Sequence, residues 1–198
     1  MVITHHGGQC FKVTLGDLTL VFDPISKRSA LEPIRFGADI ALVSKNESDY
    51  NGVAEAGYGG KEPFVILGPG EYEYRGVEVQ GFLTGGGNSV YAVALEGMTL
   101  VHLGALKDKE LSKEAREAIG EIDILFLPVG GADVLGSKEA HALATELEPH
   151  IILPMHHDAA TLKAFLKEEG GAEEELEKLV VKKKDAAAKD GAIIVLKP

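Results

Sequence analysis

Short apolar runs broken by glycine and turn residues fill the first half of the chain, and helical periodicity enters only from Ser112 onward. Phe11–Leu15 and Leu18–Phe22 flank Gly16-Asp17, a two-residue hairpin signal. Residues 38–44, apolar from Ile40 to Val43, and Phe64–Leu67 show the pattern of buried strands, with no room for polar alternation. Residues 76–82 alternate as a half-exposed strand does, and residues 90–95 and 99–103 flank a second hairpin turn, Glu96-Gly97-Met98. The later pattern predicts a helix over 112–119, extended upstream by Lys109 and Glu110, then a strand over 122–129. Ser137 has N-cap chemistry for a helix over 138–147. A strand over 151–154, an amphipathic helix over 159–168 stopped by Gly170-Gly171, a helix over 173–181 and a closing strand over 192–196 complete the reading. Strand meanders followed by strand–helix alternation ask for a two-layer sheet core with helices packed outside.

At 198 residues the chain is long enough for one domain with a sizeable core, and no linker or tandem repeat divides it, so residues 1–198 are expected to form a single domain. No segment approaches the ~20 apolar residues of a membrane span. Met1 to Gly8 has no basic region and no long apolar run, so a secretory leader is not expected. Cys10 is the one cysteine, which fits a reducing cytoplasm. Thirty-one acidic against twenty basic residues give a net charge of -11, which repels phosphate backbones and anionic lipid. Neither nucleic acid nor a membrane surface is an expected partner.

Four features invite a chemical reading. Gly131 to Lys138 follows a strand and opens a helix as a phosphate loop does, but serine precedes lysine where the loop needs the reverse, which leaves a plain strand–helix turn. Cys10, between Gln9 and Phe11, reads as a buried structural thiol. The runs Glu173–Glu175 and Lys182–Lys184 read as solvated helix faces whose charges suit the helix dipole. His156-His157-Asp158, at the exit of a strand, offers metal-ligand chemistry, although adjacent side chains point apart.

Several segments together, in order along nearly the whole chain, resemble the metallo-β-lactamase-fold hydrolases, and among them the compact relatives akin to ascorbate-phosphate lactonases. They are Gly7-Gly8-Gln9-Cys10-Phe11, Phe22-Asp23-Pro24, Ala38 to Ser44, Gly68-Pro69-Gly70-Glu71-Tyr72-Glu73 with Gly76-Val77, Val101-His102-Leu103-Gly104, Asp123 to Gly131, and Ile152-Leu153-Pro154-Met155-His156. The resemblance implies an α/β fold, a four-layer αββα sandwich. It also implies where a metal site would stand. Lys45 and Glu47 occupy the places of the first two family histidines and Tyr50 that of the third, while Asp49 is kept. The loop Thr84-Gly85-Gly86-Gly87-Asn88 lacks the next histidine, Ala105 replaces the bridging aspartate, and His156 remains.

A catalytic zinc needs about three protein ligands and an open position. On that count the resemblance implies no zinc pair, and a protonated lysine cannot ligate. Two expectations follow. The first is a non-catalytic or reconfigured pocket of Lys45, Glu47, Asp49, Tyr50, Ala105 and His156, with Lys45 ion-paired to Glu47 or Asp49. The second is an ester, lactone or phosphodiester hydrolase using one zinc or manganese ion, or no metal, at Glu47, Asp49 and His156, with His5, His6 or His157 contributing. Homo-oligomerisation is implied by the resemblance alone.

Overall fold

The computed structural model describes residues 1–172 and 174–198. The chain opens with β1 (Val2–His5), β2 (Phe11–Leu15) and β3 (Leu18–Phe22), an antiparallel meander, and then runs β4 (Ile40–Val43), α1 (Val53–Ala56) and β5 (Phe64–Leu67). A second meander follows: β6 (Gly70–Tyr74), β7 (Val77–Thr84), β8 (Asn88–Leu95) and β9 (Met98–His102). The turns Arg75-Gly76 and Glu96-Gly97 each place both residues at positive φ, which matches the twist of the strands they join. Strand–helix alternation completes the chain: α2 (Lys113–Ile119), β10 (Ile124–Pro128), α3 (Ser137–Leu147), β11 (Ile151–Met155), α4 (Ala159–Glu169), β12 (Glu174–Leu176), β13 (Leu179–Val180), α5 (Lys183–Ala186) and β14 (Ala192–Leu196).

The strands form two sheets, in the orders β13-β1-β2-β3-β4-β5 and β12-β14-β11-β10-β9-β8-β7-β6. Their facing sides bury the main core, including Phe11, Phe22, Leu42, Tyr91, Phe126 and Leu153. Outside the second sheet, α2, α3 and α4 cover a second core around Leu125, Leu127, Leu143 and Phe165. Outside the first sheet, cover comes from α1 and the loop carrying Ile25, Ile34 and Phe36. The arrangement is the expected α/β sandwich, with its helical cover concentrated on one side. Among the described residues no helix is long and apolar enough to cross a membrane.

Three local expectations need correction. The helix expected over 173–181 is a pair of short strands, β12 and β13, with Glu173 outside the described residues. Glu174, Glu175 and Leu176 pair with Ile194, Val195 and Leu196, and Leu179 and Val180 pair with Ile3 and Val2. Pairing with strands distant in the sequence overrides the helix-forming composition. Lys109 and Glu110 do not extend α2, because Ser112 caps it by accepting a hydrogen bond from the Ala115 amide at 3.1 Å. Ser137 is the first residue of α3 rather than its cap; Gly136 takes that place, and the Ser137 hydroxyl turns toward the Thr161 carbonyl at 3.5 Å.

Candidate functional site

The strand ends that the resemblance assigns to a metal site do converge. Gly104, after β9, marks where the two sheets close: at φ 56° a Cβ there would lie 2.4 Å from Ser44 Cβ and 2.5 Å from Asn88 Oδ1. Only glycine fits both that conformation and that space. Beneath lies a buried polar network. Asp23, fully buried at φ 45°, accepts from the Ser44 amide and the Ser44 hydroxyl, each at 2.7 Å. Asn88 donates to Thr84 Oγ1 at 2.9 Å and to the Leu103 carbonyl at 3.1 Å, and accepts from the Ala105 amide at 2.8 Å.

His102 is also fully buried, stacked on Phe22 at 4.8 Å. Its Nε2–H donates to the Gln9 carbonyl at 3.0 Å and its Nδ1 accepts from the Gly104 amide at 3.2 Å. That partnering defines a neutral ring. Burial pulls the His102 pKa down to about 3 and pushes that of Asp23 up to about 7. Their 3.9 Å approach is therefore a contact between a neutral imidazole and a carboxyl group, not an ion pair.

The expected site residues stand above this network and divide into separate sets. Lys45 Nζ lies 2.8 Å from Glu47 Oε1, with side chains 31% and 56% exposed. Asp49 accepts instead from the hydroxyls of Ser29 at 2.6 Å and Ser48 at 3.3 Å. Tyr50 and Ala105 are buried and form a small apolar cluster with Val134. Burial pushes the Tyr50 pKa up to about 12, and the Gln9 side chain stands beside it. The Gln9 side-chain nitrogen is buried with no hydrogen-bond partner among the described residues.

His156 sits at φ 49°, its amide donating to the Gly8 carbonyl at 2.9 Å. A Cβ on Gly130 would lie 1.9 Å from the His156 carbonyl oxygen, so that glycine makes room for the turn. Burial lowers the His156 pKa, while the negative charges of Asp49 and Asp133 oppose the fall. Of the other histidines, His5 lies against the Leu196 and Gly8 carbonyls, His6 against Thr4, and His157 is 6.4 Å from His5 between ring centroids. Cys10 is buried, its thiol pKa raised by burial, as a structural thiol requires. Among the described residues no three or more His, Cys, Asp or Glu side chains form a group that could hold a metal ion.

Residues 2–156 match the family described as Beta-lactamase superfamily domain. The chain belongs to this family. A UPF0173 metal-dependent hydrolase of Pyrococcus abyssi is 38% identical over 76 residues, covering 37% of this chain and 32% of that protein. One from Methanopyrus kandleri is 25% identical over 197 residues, covering 79% of this chain and 84% of the relative. A metallo-beta-lactamase superfamily protein of Thermotoga maritima superposes over 100% of both chains with a TM-score of 0.82 and 29% identity. The match spans about a third of the length of the Pyrococcus relatives.

Within the superfamily fold, Gln9, Asp23, Ser44, Asn88 and His102 also lie at strand ends, and the sequence by itself assigns them no role. The Phe22-Asp23-Pro24 and Val101-His102-Leu103-Gly104 segments carried the fold signal, but their partners come from strands far apart in sequence.

Proposed function

We propose that this metallo-β-lactamase-fold protein has a reconfigured pocket that does not carry the family's metal pair and does not perform metal-activated hydrolysis. The observation that carries the reading is the composition of the site. Tyr50 and Ala105 pack with Val134 where the resemblance places metal ligands, and the buried Gln9 amide beside them presents a donor. A cation needs lone pairs, and an N–H donor and an alanine methyl offer none. Lys45 adds a positive charge at the rim, already satisfied by Glu47. These residues do not fit a zinc pair. They suit a neutral or oxygen-rich small molecule that accepts hydrogen bonds.

One observation favours a second reading. His156 keeps a left-handed backbone, strained for a non-glycine residue, and feels the Asp49 carboxylate. Asp49 and His156, with Glu47 released from Lys45, would supply two oxygen donors and one nitrogen to a single zinc or manganese ion. An ester, lactone or phosphodiester would be the substrate class.

Elemental analysis of protein purified without chelator separates the two. The expected result is well under one equivalent of zinc or manganese per chain, with no shift in melting temperature on adding either ion. About two equivalents of zinc would sink the proposal, since a pair needs a full ligand set. So would ester or phosphodiester turnover that disappears in Asp49→Ala and His156→Ala.

A further inference from the structure

The outer face of the second sheet is only partly covered. Helices α2, α3 and α4 close over Val101, Leu125, Ile152 and Ile193, while toward the β6 edge a cleft of about 510 Å³ lies open beside α2. Strand register fixes its floor. In one row Glu71 opposes Gln80, and Gln80 opposes Ala92; in the next Glu73 opposes Glu78, Glu78 opposes Ala94, and Ala94 opposes Thr99. Directly opposed residues point to one face, so both rows lie on the outside of the sheet. Their neighbours Val79 and Val93 point the other way, into the core between the sheets.

One wall of the cleft is acidic and the other apolar. Glu71, Glu73 and Glu78 are exposed on β6 and β7. Ala92 and Ala94 of β8 and Ala118 and Ile119 of α2 face them. Glu73 and Glu78 stand directly opposite each other, a placement in which like charges repel. No basic side chain lines the cleft. Those of the adjoining turn and helix are committed elsewhere: Arg75 holds Asp17 and Asp39, Lys113 holds Glu117 and Arg116 holds Glu146. Glu73 has only the Gly76 amide, at 3.2 Å.

We propose that this cleft binds a small amphipathic cation, an alkylguanidinium, with its head between Glu73 and Glu78 and its chain along the alanine wall. Charge complementarity selects the cation, and the apolar wall selects an alkyl body. A guanidinium presents its donors in a planar fork that serves two carboxylates at once, which the compact ammonium does less well. Size selects a small molecule. Two ladder rows are about 7 Å apart along the strands, room for a chain of a few carbons and too short for a helix of ordinary length. The volume is that of a small-molecule site. Thr99 lies near the start of β9 and Gly104 follows its end, so this cleft and the strand-end pocket are separate, and neither reading depends on the other.

Calorimetric titration of the full chain with butylguanidinium tests the proposal, with butylurea as the uncharged match. The cation should bind and the urea should not. Each methylene removed from the chain should weaken binding about fourfold. Glu78→Gln should weaken it roughly tenfold. Ala94→Leu fills the floor without changing charge and should weaken it at least as much. Glu174→Gln, on β12 at the opposite edge, should bind as the parent does, which controls for the general attraction of cations to a chain of net charge -11. Both cleft variants are at exposed positions. If Ala94→Leu does not fold, the Ala94 and Ala118 methyl resonances of the parent decide, and they should shift on titration. Glu78→Gln should melt no lower than the parent, because it relieves a repulsion; a clear fall would give the carboxylates a structural role and overturn the proposal. No binding of butylguanidinium, equal binding of butylurea, indifference to chain length, or methyl resonances that stay in place also overturns it. Equal losses in Glu78→Gln and Glu174→Gln would show diffuse electrostatic attraction and overturn it too.

Discussion

Asp23 and Asp123 are both fully buried at strand ends, yet the chain treats them in opposite ways. Asp23 follows β3 at the end where the site lies, and its partners are the Ser44 amide and hydroxyl. Asp123 precedes β10 at the other end. It accepts from Lys183 Nζ at 2.9 and 2.8 Å and from the Thr99 amide at 2.8 Å, with His150 Nδ1 at 3.3 Å. One carboxylate is neutralised by a cation; the other has only dipoles and a neutral histidine, and its pKa rises to about 7. A buried carboxylate without a cation is costly to ionise. The contrast shows that the far end is a structural clamp, whereas the site end keeps an uncompensated acid.

The largest effect should come from breaking the clamp. Asp123→Ala leaves the Thr99 amide and the Lys183 ammonium without their acceptor and should cost about 3 kcal/mol in urea unfolding. The estimate is held low because Lys183 is 45% exposed and can rehydrate. A loss no larger than that of an ordinary surface substitution would remove the distinction between the two aspartates.

The second effect is one of pH. Asp23 titrates near 3.8 when unfolded and near 7 when folded, so its contribution to stability is complete below about pH 4 and is lost as pH rises through about 7. His102 runs the other way. Its pKa falls from 6.5 to about 3, so its contribution is present above 6.5 and is lost as pH falls toward 3. Between about pH 4 and 6.5 the two slopes oppose each other. Asp23→Asn removes one of them, and stability measured by denaturant across that window should then rise with pH more steeply than in the parent. An unchanged slope would mean that Asp23 is ionised in the folded protein.

The smallest effect is expected at Lys45. Had its pair with Glu47 been buried, removing the lysine would have stranded a carboxylate. With the two side chains 31% and 56% exposed, Lys45→Ala should cost between 0 and about 1 kcal/mol. A melt displaced far beyond that would show that the ammonium carries more of the site's electrostatics than its single partner indicates.

Much of the fold was legible because its signals are local. The turns Gly16-Asp17 and Glu96-Gly97 and the apolar runs of β4, β5 and β10 need no knowledge of distant residues. The largest failure was where a distant partner decided. Residues 174–176 are strand because β14 lies beside them, although their glutamates suit a helix. The site divides in the same way. Lys45, Glu47, Asp49, Tyr50, Ala105 and His156 could be placed from motif order, and the Lys45–Glu47 pair is two residues apart. The Asp49–Ser29 hydrogen bond, the Tyr50–Ala105–Val134 cluster and the His102–Gln9 contact join residues distant in the chain.

By itself the sequence determined most of the order of strands and helices, the superfamily and the chemical inventory at the strand ends, because periodicity, turn chemistry and motif order are written along the chain. Only the tertiary structure decided which of those groups are neutral, which are paired and which sheet face is left uncovered. Burial, charge compensation and strand pairing depend on what the folded chain places beside a residue, and those neighbours are seldom the ones beside it in sequence.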